Sequence, residues 1–323
     1  MSSVSVVMCT YNGERYLRPQ LDSILAQALQ ADEIIVQDDG STDSTCEIVR
    51  EYQAKHPEIV LIRNEAQLGP NVNFLTGIQH AKGDFIALSD QDDIWELDKI
   101  ESIVARMQET GCALGFCRSK EFCEEGTIEV FYDPRTPNFS IERAIFGDSM
   151  APGHTMVIRR SFVSELTLER YDTCPGEGHD GFILLMAAAY ESICLCDRIL
   201  VHYRRHPSQA SAEGDRSFTF KTGPVKMLRV ALKTYLSKKK EMTDFFGVKY
   251  RFLSALPLHN EGLDNALRLA WLFSHRGFFN YIRLTLLCVR LRRKLFFTAQ
   301  IAPLTLLLRS FFFPLYCATY FRD

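Results

Sequence analysis

Between residues 4 and 88, short apolar runs alternate with amphipathic segments. Each run has the length of a buried strand, and the segments between them repeat their apolar residues with helical spacing. The predicted strands are Val4–Cys9, Glu33–Gln37, Val60–Arg63 and Phe85–Leu88, and the last intervening helix is Val72–Ala81. This alternation is typical of a mostly parallel sheet with helices on its faces, so we predict an α/β fold.

Polar motifs follow three of these strands directly. They are Thr10-Tyr11-Asn12, Asp38-Asp39 and Asp90-Gln91-Asp92-Asp93. In parallel α/β sheets ligands bind at the carboxyl ends of the strands, so we expect the three motifs to lie on one rim. Because Gly40 and Ser41 follow Asp39, this motif is also typical of a turn and helix cap, which is the alternative for that segment.

Three carboxylates occur within four positions at the end of the Phe85–Leu88 strand. Clustered carboxylates repel one another and are stabilised in the ionised form by a cation. Carboxylate oxygens suit Mg2+ and Mn2+, so we predict a metal site held by Asp90 and Asp92. The alternative is a solvated acidic turn. An EF-hand calcium loop does not fit, because Ile94 and Trp95 stand where an acidic ligand and glycine belong.

The other two motifs fit a nucleotide diphosphate. A carboxylate at Asp38 can accept the N3–H of uracil or thymine, a donor that neutral cytosine lacks. Tyr11 can stack on the base, and Thr10 can hydrogen-bond the base or the phosphates. A metal at Asp90 and Asp92 would bridge the diphosphate and neutralise charge on a departing nucleotide.

In this order, the motifs Cys9–Asn12, Asp38–Asp43 and Gly83–Trp95 resemble those of the family 2 glycosyltransferases with the GT-A fold. The form Asp-Gln-Asp-Asp-Ile-Trp resembles the bacterial rhamnosyltransferase-like branch. The resemblance covers roughly residues 4–210 and is specific for the family but not for the sugar. Cys9 departs from the pattern, since many members have proline there. The resemblance implies inverting sugar transfer from a nucleotide diphosphate donor, with Mn2+ or Mg2+ and a carboxylate base.

The same resemblance implies roles for further residues. It adds Asn12, Glu14 and Asp39 to the nucleotide-binding set. It also assigns Asp93 and Trp95 to the donor and acceptor pocket.

Two segments resemble the acceptor side of the family. His154 lies in Ala151–Arg160 and is expected to contact the sugar or acceptor, with a structural histidine as the alternative. Asp180 begins a predicted helix over Phe182–Tyr190, where a carboxylate can also act as a helix cap. In the family the corresponding aspartate follows Glu or His and is the general base that an inverting displacement needs. We therefore predict Asp180 as the base, with His179 orienting it or lining the acceptor site.

The segment Tyr203-Arg204-Arg205-His206 resembles the family's Tyr-Arg-x-His segment, in which a loop closes over the diphosphate. On this basis His206 is expected to be a third metal ligand. Arg204 or Arg205 is expected to pair with phosphate oxygens. The alternative is an ordinary basic surface loop.

Charge is divided unevenly along the chain. Residues 1–214 carry 18 Lys and Arg against 34 Asp and Glu, whereas residues 215–323 carry 19 against 6. We predict a GT-A catalytic domain over 1–214 and a basic helical region over 215–323. The apolar segment Ile301–Tyr320 is long enough for a membrane span but contains Arg309 and Pro314. The basic region is therefore expected to lie on an anionic membrane surface or to pack on the catalytic domain with a solvated basic face.

The predicted function is inverting, metal-dependent transfer of a sugar from a UDP- or dTDP-sugar, with dTDP-rhamnose as a candidate. The acceptor is a glycan or lipid-linked saccharide in surface polysaccharide biosynthesis, and no nucleic acid is expected. No Cys-x-x-Cys pair and no signal-peptide pattern occur, so we expect a cytoplasmic setting at or near the inner face of the cell membrane.

Two other functions compete with this one. A nucleotidyltransferase would need a Gly-rich, Lys- or Arg-bearing phosphate loop after the first strand, and Thr10–Gly13 is not such a loop. The second is a non-catalytic nucleotide-sugar or membrane-binding module. Such a module would need no general base of the kind predicted at Asp180.

Overall fold

The computed structural model describes residues 2–123, 138–147, 151–174, 176–206, 209, 224–275, 277–296 and 302–317, with the backbone alone at 224–230 and 316. The chain divides into two compact units. The first is drawn from residues 1–133, 149–172 and 177–207, and the second from residues 134–148, 173–176 and 208–323. The predicted domain boundary between residues 214 and 215 lies outside the described residues and stays a prediction.

An eight-stranded sheet forms the centre of the first unit. Its strands are β1 Val4–Thr10, β2 Glu33–Asp38, β3 Ile59–Arg63, β4 Phe85–Ser89, β5 Ile94–Trp95, β6 Leu114–Phe122, β7 Met156–Arg159 and β8 Ile193–Arg204. The order across the sheet is β3-β2-β1-β4-β7-β6-β8-β5. The first four strands of this order are parallel, β7 is antiparallel to both neighbours, β6 is parallel to β8, and β5 is antiparallel to β8. The predicted mostly parallel sheet is confirmed.

The helices follow the strands in the predicted alternation. They are α1 Leu17–Leu25, α2 Thr45–Gln53, α3 Pro70–His80, α4 Lys99–Thr110, α5 Ile141–Ala144, α6 Leu168–Asp172, α7 His179–Ala189, α8 Pro224–Ser254, α9 Glu261–Ser274, α10 Phe278–Arg290, α11 Arg292–Leu295 and α12 Pro303–Tyr316. Local chemistry sets several ends. Pro70 occupies the first turn of α3, where no backbone N–H is needed. Gly111, in the left-handed region at φ 70°, ends α4.

Helices cover both faces of the sheet around β1. All seven residues of β1 are buried, as expected for a central parallel strand. Apolar side chains of α1 and α4 share one buried cluster with alternate residues of β1. On the other face α3 approaches closely, since a Cβ added at Gly77 would lie 2.7 Å from Val7 Cγ1. The carboxyl-end loops therefore project from a rigid support.

The second unit is helical and contains α5 and α8–α12. Its core includes an aromatic cluster in which the Phe146 ring lies 5.4 Å from Phe246, 5.6 Å from Phe273 and 5.0 Å from Phe313. The Asn260 side chain caps α9 by accepting from the Leu263 N–H at 2.7 Å.

Among the described residues, no helix combines the length and apolarity that crossing a membrane requires. The predicted helical C-terminal region is confirmed.

Candidate functional site

Three strand ends meet at one edge of the first unit. Strands β2, β1 and β4 are parallel neighbours, and they end at Asp38, Thr10 and Ser89. The loops that follow them carry the three motifs found in the sequence. The structure therefore brings these motifs together on one rim, as parallel topology requires.

Reciprocal hydrogen bonds join the loops after β1 and β2. The Asn12 N–H donates to the Ser41 hydroxyl at 2.9 Å, and the Thr42 N–H donates to Asn12 Oδ1 at 2.8 Å. The Glu14 carboxylate accepts from the Ser44 N–H at 2.9 Å. Asn12 holds the left-handed conformation at φ 48°, which asparagine tolerates well. Both side chains, predicted to bind the nucleotide, thus hold the two loops together.

The Asp38 carboxylate is buried and bonded to Thr10 of β1 and to its own turn. Its Oδ1 accepts from the hydroxyls of Thr10 and Ser41, and its Oδ2 accepts from the N–H groups of Gly40 and Ser41. A carboxylate has about four acceptor sites, so these bonds fill it. The bonds to Gly40 and Ser41 form the turn alternative for this segment, whereas the cap position of α2 is Ser44, without a side-chain capping bond. The predicted contact of Asp38 with a base requires one of these bonds to break.

Asp39 ties the loop after β3 to the rim. Its Oδ1 accepts from Asn64 Nδ2 at 2.8 Å and from the Leu68 N–H at 2.7 Å. Its Oδ2 accepts from the Gly69 N–H at 2.8 Å. These three bonds leave one acceptor site on Asp39, in contrast to Asp38.

Tyr11 presents its ring to solvent while its backbone is held in place. The side chain is 45% exposed. Gln91 accepts from the Tyr11 N–H at 2.9 Å and donates to the Tyr11 carbonyl at 3.1 Å. A Cβ added at Gly13 would lie 2.1 Å from Gln91 Oε1, so glycine is needed there for this pairing. The loops after β1 and β4 are thereby fixed to each other, with an aromatic face open for stacking.

Asp90, Asp93 and His154 form the acidic centre of the rim, and one ligand atom from each lies within 4.8 Å of the others. His154 Nδ1 is 3.5 Å from Asp90 Oδ2 and 3.9 Å from Asp93 Oδ2. The Asp93 carboxylate is buried, and its Oδ2 has no hydrogen-bond partner among the described residues. A buried carboxylate oxygen without a donor, beside a second carboxylate and an imidazole, fits Mn2+ or Mg2+.

The charges in this group are strongly coupled. Burial, opposed by His154 and reinforced by Asp90 and Asp92, raises the pKa of Asp93 to about 7. Burial lowers the pKa of His154, but the Asp93 and Asp90 carboxylates outweigh it and the net shift is upward. A divalent cation would stabilise both carboxylates in the ionised form, which is the electrostatic reason that this group suits one.

Asp92 faces His206 rather than the acidic centre. The distance between His206 Nε2 and Asp92 Oδ2 is 2.8 Å. The His206 ring also lies 4.7 Å from the ring of Tyr16. The predicted ligand set of Asp90, Asp92 and His206 is not among the clustered ligand groups of the described residues. That set stays a prediction, beside the Asp90, Asp93 and His154 group.

Arg204 is buried and donates hydrogen bonds to the loop after β4. Its N–H donates to Asp93 Oδ1 at 3.0 Å, and its Nε donates to the Asp92 carbonyl at 2.7 Å. Its guanidinium lies 4.7 Å from the Tyr16 ring. Arg205 is partly exposed, with its Nε 3.9 Å from Glu121 Oε2. Of the two arginines predicted to contact phosphate, Arg205 is therefore the more accessible.

A buried lysine supports the acidic centre from the core. Lys99 is fully buried in α4, and its Nζ donates to the His154 carbonyl at 2.8 Å. The same Nζ lies 3.3 Å from the centroid of the Trp95 ring, a cation–π contact. Trp95, predicted to line the pocket, is itself 3% exposed and contacts Lys99. Lys99 therefore fixes the backbone of His154, and Trp95 packs against Lys99.

His179 is held at the start of α7 by Asn71 and Phe74. The Asn71 Oδ1 accepts from the His179 N–H at 3.0 Å and lies 3.1 Å from its ring Nδ1. The His179 ring stacks on Phe74 at 4.2 Å. Its Nε2 is buried without a hydrogen-bond partner among the described residues. Burial lowers the pKa of His179, which favours the neutral imidazole.

Asp180 lies in the first turn of α7 but does not cap it. The cap residue is Gly178, and no side chain accepts a capping bond there. Asp180 Oδ1 accepts from the Gly181 N–H at 2.7 Å. A Cβ added at Gly178 would lie 2.7 Å from Asp180 Oδ1, so the glycine leaves space beside the carboxylate. The cap alternative for Asp180 is not the observed arrangement.

Three residues of the rim escaped sequence reasoning. Gln91 lies between Asp90 and Asp92, and the motif was interpreted through these two carboxylates alone. Lys99 stands in the apolar stripe with Ile103 and Met107 at spacings of four, which is a signal of burial. Tyr16 has no local signal, because its contacts with Arg204 and His206 come from β8 and the segment after it.

A family model described as glycosyl transferase family 2 matches residues 5–167. The dTDP-rhamnosyl transferase RfbG of Shigella flexneri is 29% identical over 210 residues, covering 61% of this chain and 65% of the relative. The putative teichuronic acid biosynthesis glycosyltransferase TuaG of Bacillus subtilis is 32% identical over 124 residues, covering 38% of this chain and 49% of the relative. Each match spans less than two thirds of the relative's own length.

Two solved structures share the fold. TarS residues 1–349 of S. aureus, in complex with UDP-GlcNAc, has a TM-score of 0.55 at 17% identity, covering 91% of this chain and 81% of that chain. The mannosyltransferase PcManGT from Pyrobaculum calidifontis, in complex with GDP-Man and Mn2+, has a TM-score of 0.50 at 17% identity, covering 98% of this chain and 86% of that chain. At these identities the likeness shows the fold alone.

Proposed function

The chain belongs to glycosyl transferase family 2, and from this we propose that it transfers a sugar, with inversion, from a UDP- or dTDP-sugar to a glycan or lipid-linked saccharide acceptor. The observation that carries the proposal is the group of Asp90, Asp93 and His154, because it lies on the same rim as the exposed ring of Tyr11. This combination suits a ligand that has both a base and a diphosphate.

The donor base is assigned to Tyr11 and Asp39. The exposed Tyr11 ring can stack on it. Asp39 keeps one acceptor site for the N3–H of uracil or thymine, whereas the acceptor sites of Asp38 are filled. Similarity to a relative named a dTDP-rhamnosyl transferase supports a dTDP-sugar, and the UDP-GlcNAc complex of TarS supports a UDP-sugar.

Asp90, Asp93 and His154 are the residues proposed to hold a divalent cation. Their oxygen and nitrogen donors suit Mn2+ or Mg2+, and the Mn2+ in the PcManGT complex agrees with this choice. When bound, the cation would neutralise charge on the diphosphate of the departing nucleotide. Lys99 holds the His154 backbone through its carbonyl, and Arg204 donates to the Asp93 carboxylate and the Asp92 carbonyl.

On the acceptor side, Asp180 is proposed as the base that removes the proton from the attacking hydroxyl. An inverting displacement needs such a group opposite the leaving nucleotide. His179, held neutral by burial and fixed by Asn71, is proposed to line the acceptor site through its Nε2. Similarity to TuaG supports an acceptor in surface polysaccharide biosynthesis, which would place the enzyme at the inner face of the cell membrane when that acceptor is lipid-linked.

Thermal unfolding with UDP, dTDP, CDP and GDP, each with and without Mn2+, tests the donor site. A ligand that binds only the folded state at 100 times its Kd adds about 2.7 kcal/mol to stability. We expect stabilisation by UDP or dTDP that requires Mn2+. Asp93→Asn and His154→Gln should abolish it, and Asp92→Asn should leave most of it.

Glu109→Gln is the matched control, since Glu109 is a surface carboxylate on α4 that pairs with Arg106. If Asp92→Asn removed the Mn2+ response and Asp93→Asn kept it, the metal would belong to Asp92 and His206 instead. No response of the folded wild-type protein to any nucleotide would refute the donor site. A response to GDP alone would refute the base assignment and keep the enzyme class.

A further inference from the structure

Helix α10 exposes large apolar side chains along one face. Phe278 and Phe279 are 76% and 75% exposed, and Leu286 is 65% exposed. Phe278, Ile282 and Leu286 are spaced by four residues, so they lie on the same side of the helix. The opposite side of α10, with Leu284 and Cys288, is buried. Helix α10 is therefore apolar on two sides. One side is buried in the unit, and the other faces solvent.

Helix α12 repeats this pattern next to α10. Its exposed apolar residues are Leu304, Leu307, Leu308 and Phe311, at the spacing of one helical face. Helices α10 and α12 pack against each other in the second unit. Two neighbouring helices thus expose Phe and Leu, which is more than the scattered apolar residues that water-facing surfaces normally carry.

The stretch of sequence that contains both helices carries charge of one sign. Residues 265–322 contain nine Lys and Arg and no Asp or Glu. Among the described residues of this stretch, Arg283 and Arg290 on α10 and Arg309 on α12 are exposed. A groove that reaches Phe278 is also bordered by Lys239 of α8. Apolar side chains flanked by basic ones, without acidic ones, are typical of helices that lie in the interface of an anionic membrane.

We propose that the exposed faces of α10 and α12 dock this unit on an anionic lipid bilayer. Phe278, Phe279 and the α12 leucines enter the boundary between headgroups and acyl chains, and Arg283 and Arg309 contact lipid phosphates. The binding is to the surface, which agrees with the lack of a membrane-crossing helix among the described residues. The inference adds a partner to the proposed function but does not depend on the sugar or the nucleotide.

Charge selects the bilayer over a second copy of the chain. A symmetric dimer through these faces would bring two sets of arginines together, with no acidic residue from 265 to 322 to pair with them. Like charges across an interface are unfavourable, whereas each basic residue near an anionic membrane strengthens binding about fivefold. An anionic bilayer satisfies both the arginines and the apolar side chains.

Vesicle co-sedimentation of the full chain, without nucleotide, tests this inference. One set of vesicles contains phosphatidylcholine alone, and the other contains equal amounts of phosphatidylcholine and phosphatidylglycerol. We expect binding to the second set, weakened by salt because charges contribute to it. The double variant Phe278→Ser and Phe279→Ser should lower the partition coefficient at least tenfold. Arg283→Gln and Arg309→Gln should each lower it about fivefold.

Matched controls lie in the first unit. Leu168→Ser removes an exposed leucine of α6, and Arg50→Gln removes an exposed arginine of α2. Both should bind like wild type. The proposal is overturned if folded wild-type protein ignores anionic vesicles, or if the Phe and Arg variants bind as well as the controls. A concentration-dependent dimer without vesicles, broken by the Phe variant, would instead show that a second copy covers the face. Stabilisation of the protein by nucleotide is measured without vesicles. The donor-site proposal and the membrane proposal can therefore fail independently.

Discussion

Single residues without reactive chemistry shape the rim, and Gln91 is the clearest case. Its amide spans both backbone groups of Tyr11, and this is sterically allowed because residue 13 is glycine. A Cβ at Gly13 would meet only the end of the Gln91 side chain among its three nearest atoms. The effects of changing the two residues should therefore be coupled.

A double-mutant cycle tests this coupling. Gln91→Ala should lower the free energy of unfolding by about 1–2 kcal/mol, because two hydrogen bonds to Tyr11 are lost. Gly13→Ala should cost a similar amount by displacing Gln91, but little in the Gln91→Ala background. Urea denaturation of the four proteins measures the coupling. Additive effects would mean that the two residues do not act through this contact.

Asp180→Asn tests the base assignment. We expect kcat to fall by about 10²–10⁴-fold, because the amide cannot take the acceptor proton. The Mn2+-dependent stabilisation by nucleotide should not change, since Asp180 is not among the proposed donor residues. Steady-state rates of nucleotide release measure this, with the exposed Asp172→Asn as control. Unchanged turnover would remove Asp180 from the mechanism and make His179 the next residue to test.

At the scale of elements, α4 carries an ionisable amine into the core, that of Lys99. Burial lowers the pKa of Lys99 to about 7, against the partial opposition of Cys117, Asp93 and Asp90. An unfolded lysine has a pKa of about 10.4, so between these values the unfolded chain binds a proton that the folded chain does not. Folding stability due to Lys99 therefore rises with pH in this window and is lost as pH falls toward 7.

Lys99→Met removes this dependence. From pH 7.5 to pH 8.5, wild-type stability relative to Lys99→Met should rise by about 1 kcal/mol, since one pKa unit corresponds to about 1.4 kcal/mol. Urea denaturation at both pH values measures it, and the exposed Lys82→Met is the control. Parallel pH curves for wild type and Lys99→Met would mean that Lys99 stays protonated in the folded protein.

Elements were more predictable than their ends. The helix predicted over 182–190 begins at His179, and β8 covers 12 residues, Ile193–Arg204. The first half of β8 pairs with β6, a neighbour far away in sequence, and that pairing continues the strand. Because local periodicity contains no information on such partners, it does not define where β8 starts.

In the whole molecule, the helical unit includes a segment from the middle of the chain. Residues 134–148 belong to it together with residues 208–323. Ile141, Ile145 and Phe146 are buried, and Phe146 contacts three phenylalanines of the same unit. A division of the chain at residue 214 would therefore leave apolar side chains without the helices that cover them.

A truncated chain that ends at residue 214 tests whether these apolar side chains need the helical unit. We expect it to associate and to unfold at a lower temperature than the full chain, because Phe146 and its neighbours lose their packing partners. In the full chain Phe146→Ala should cost about 3–5 kcal/mol, whereas Phe311→Ala, at an exposed position, should change stability by less than about 0.5 kcal/mol. Size-exclusion chromatography and thermal unfolding measure these effects. A monomeric truncated chain of wild-type stability would support the boundary predicted at 214.

The predicted family and the GT-A fold are confirmed. Local sequence was sufficient for this, because apolar runs of strand length, helical spacing and polar motifs at strand ends are properties of short segments. The same information placed Thr10, Asp38 and Asp90 on one rim, since parallel strands bring their carboxyl ends to one edge.

Only the tertiary structure decided which of these side chains face each other. Asp90 lies near Asp93 and His154, while Asp92 pairs with His206. Asp38 accepts four hydrogen bonds from Thr10, Gly40 and Ser41, whereas Asp39 accepts three from the loop after β3. These outcomes depend on distances and angles between segments that are remote in sequence and are set by the packing of the sheet, and spacing along the chain does not contain them.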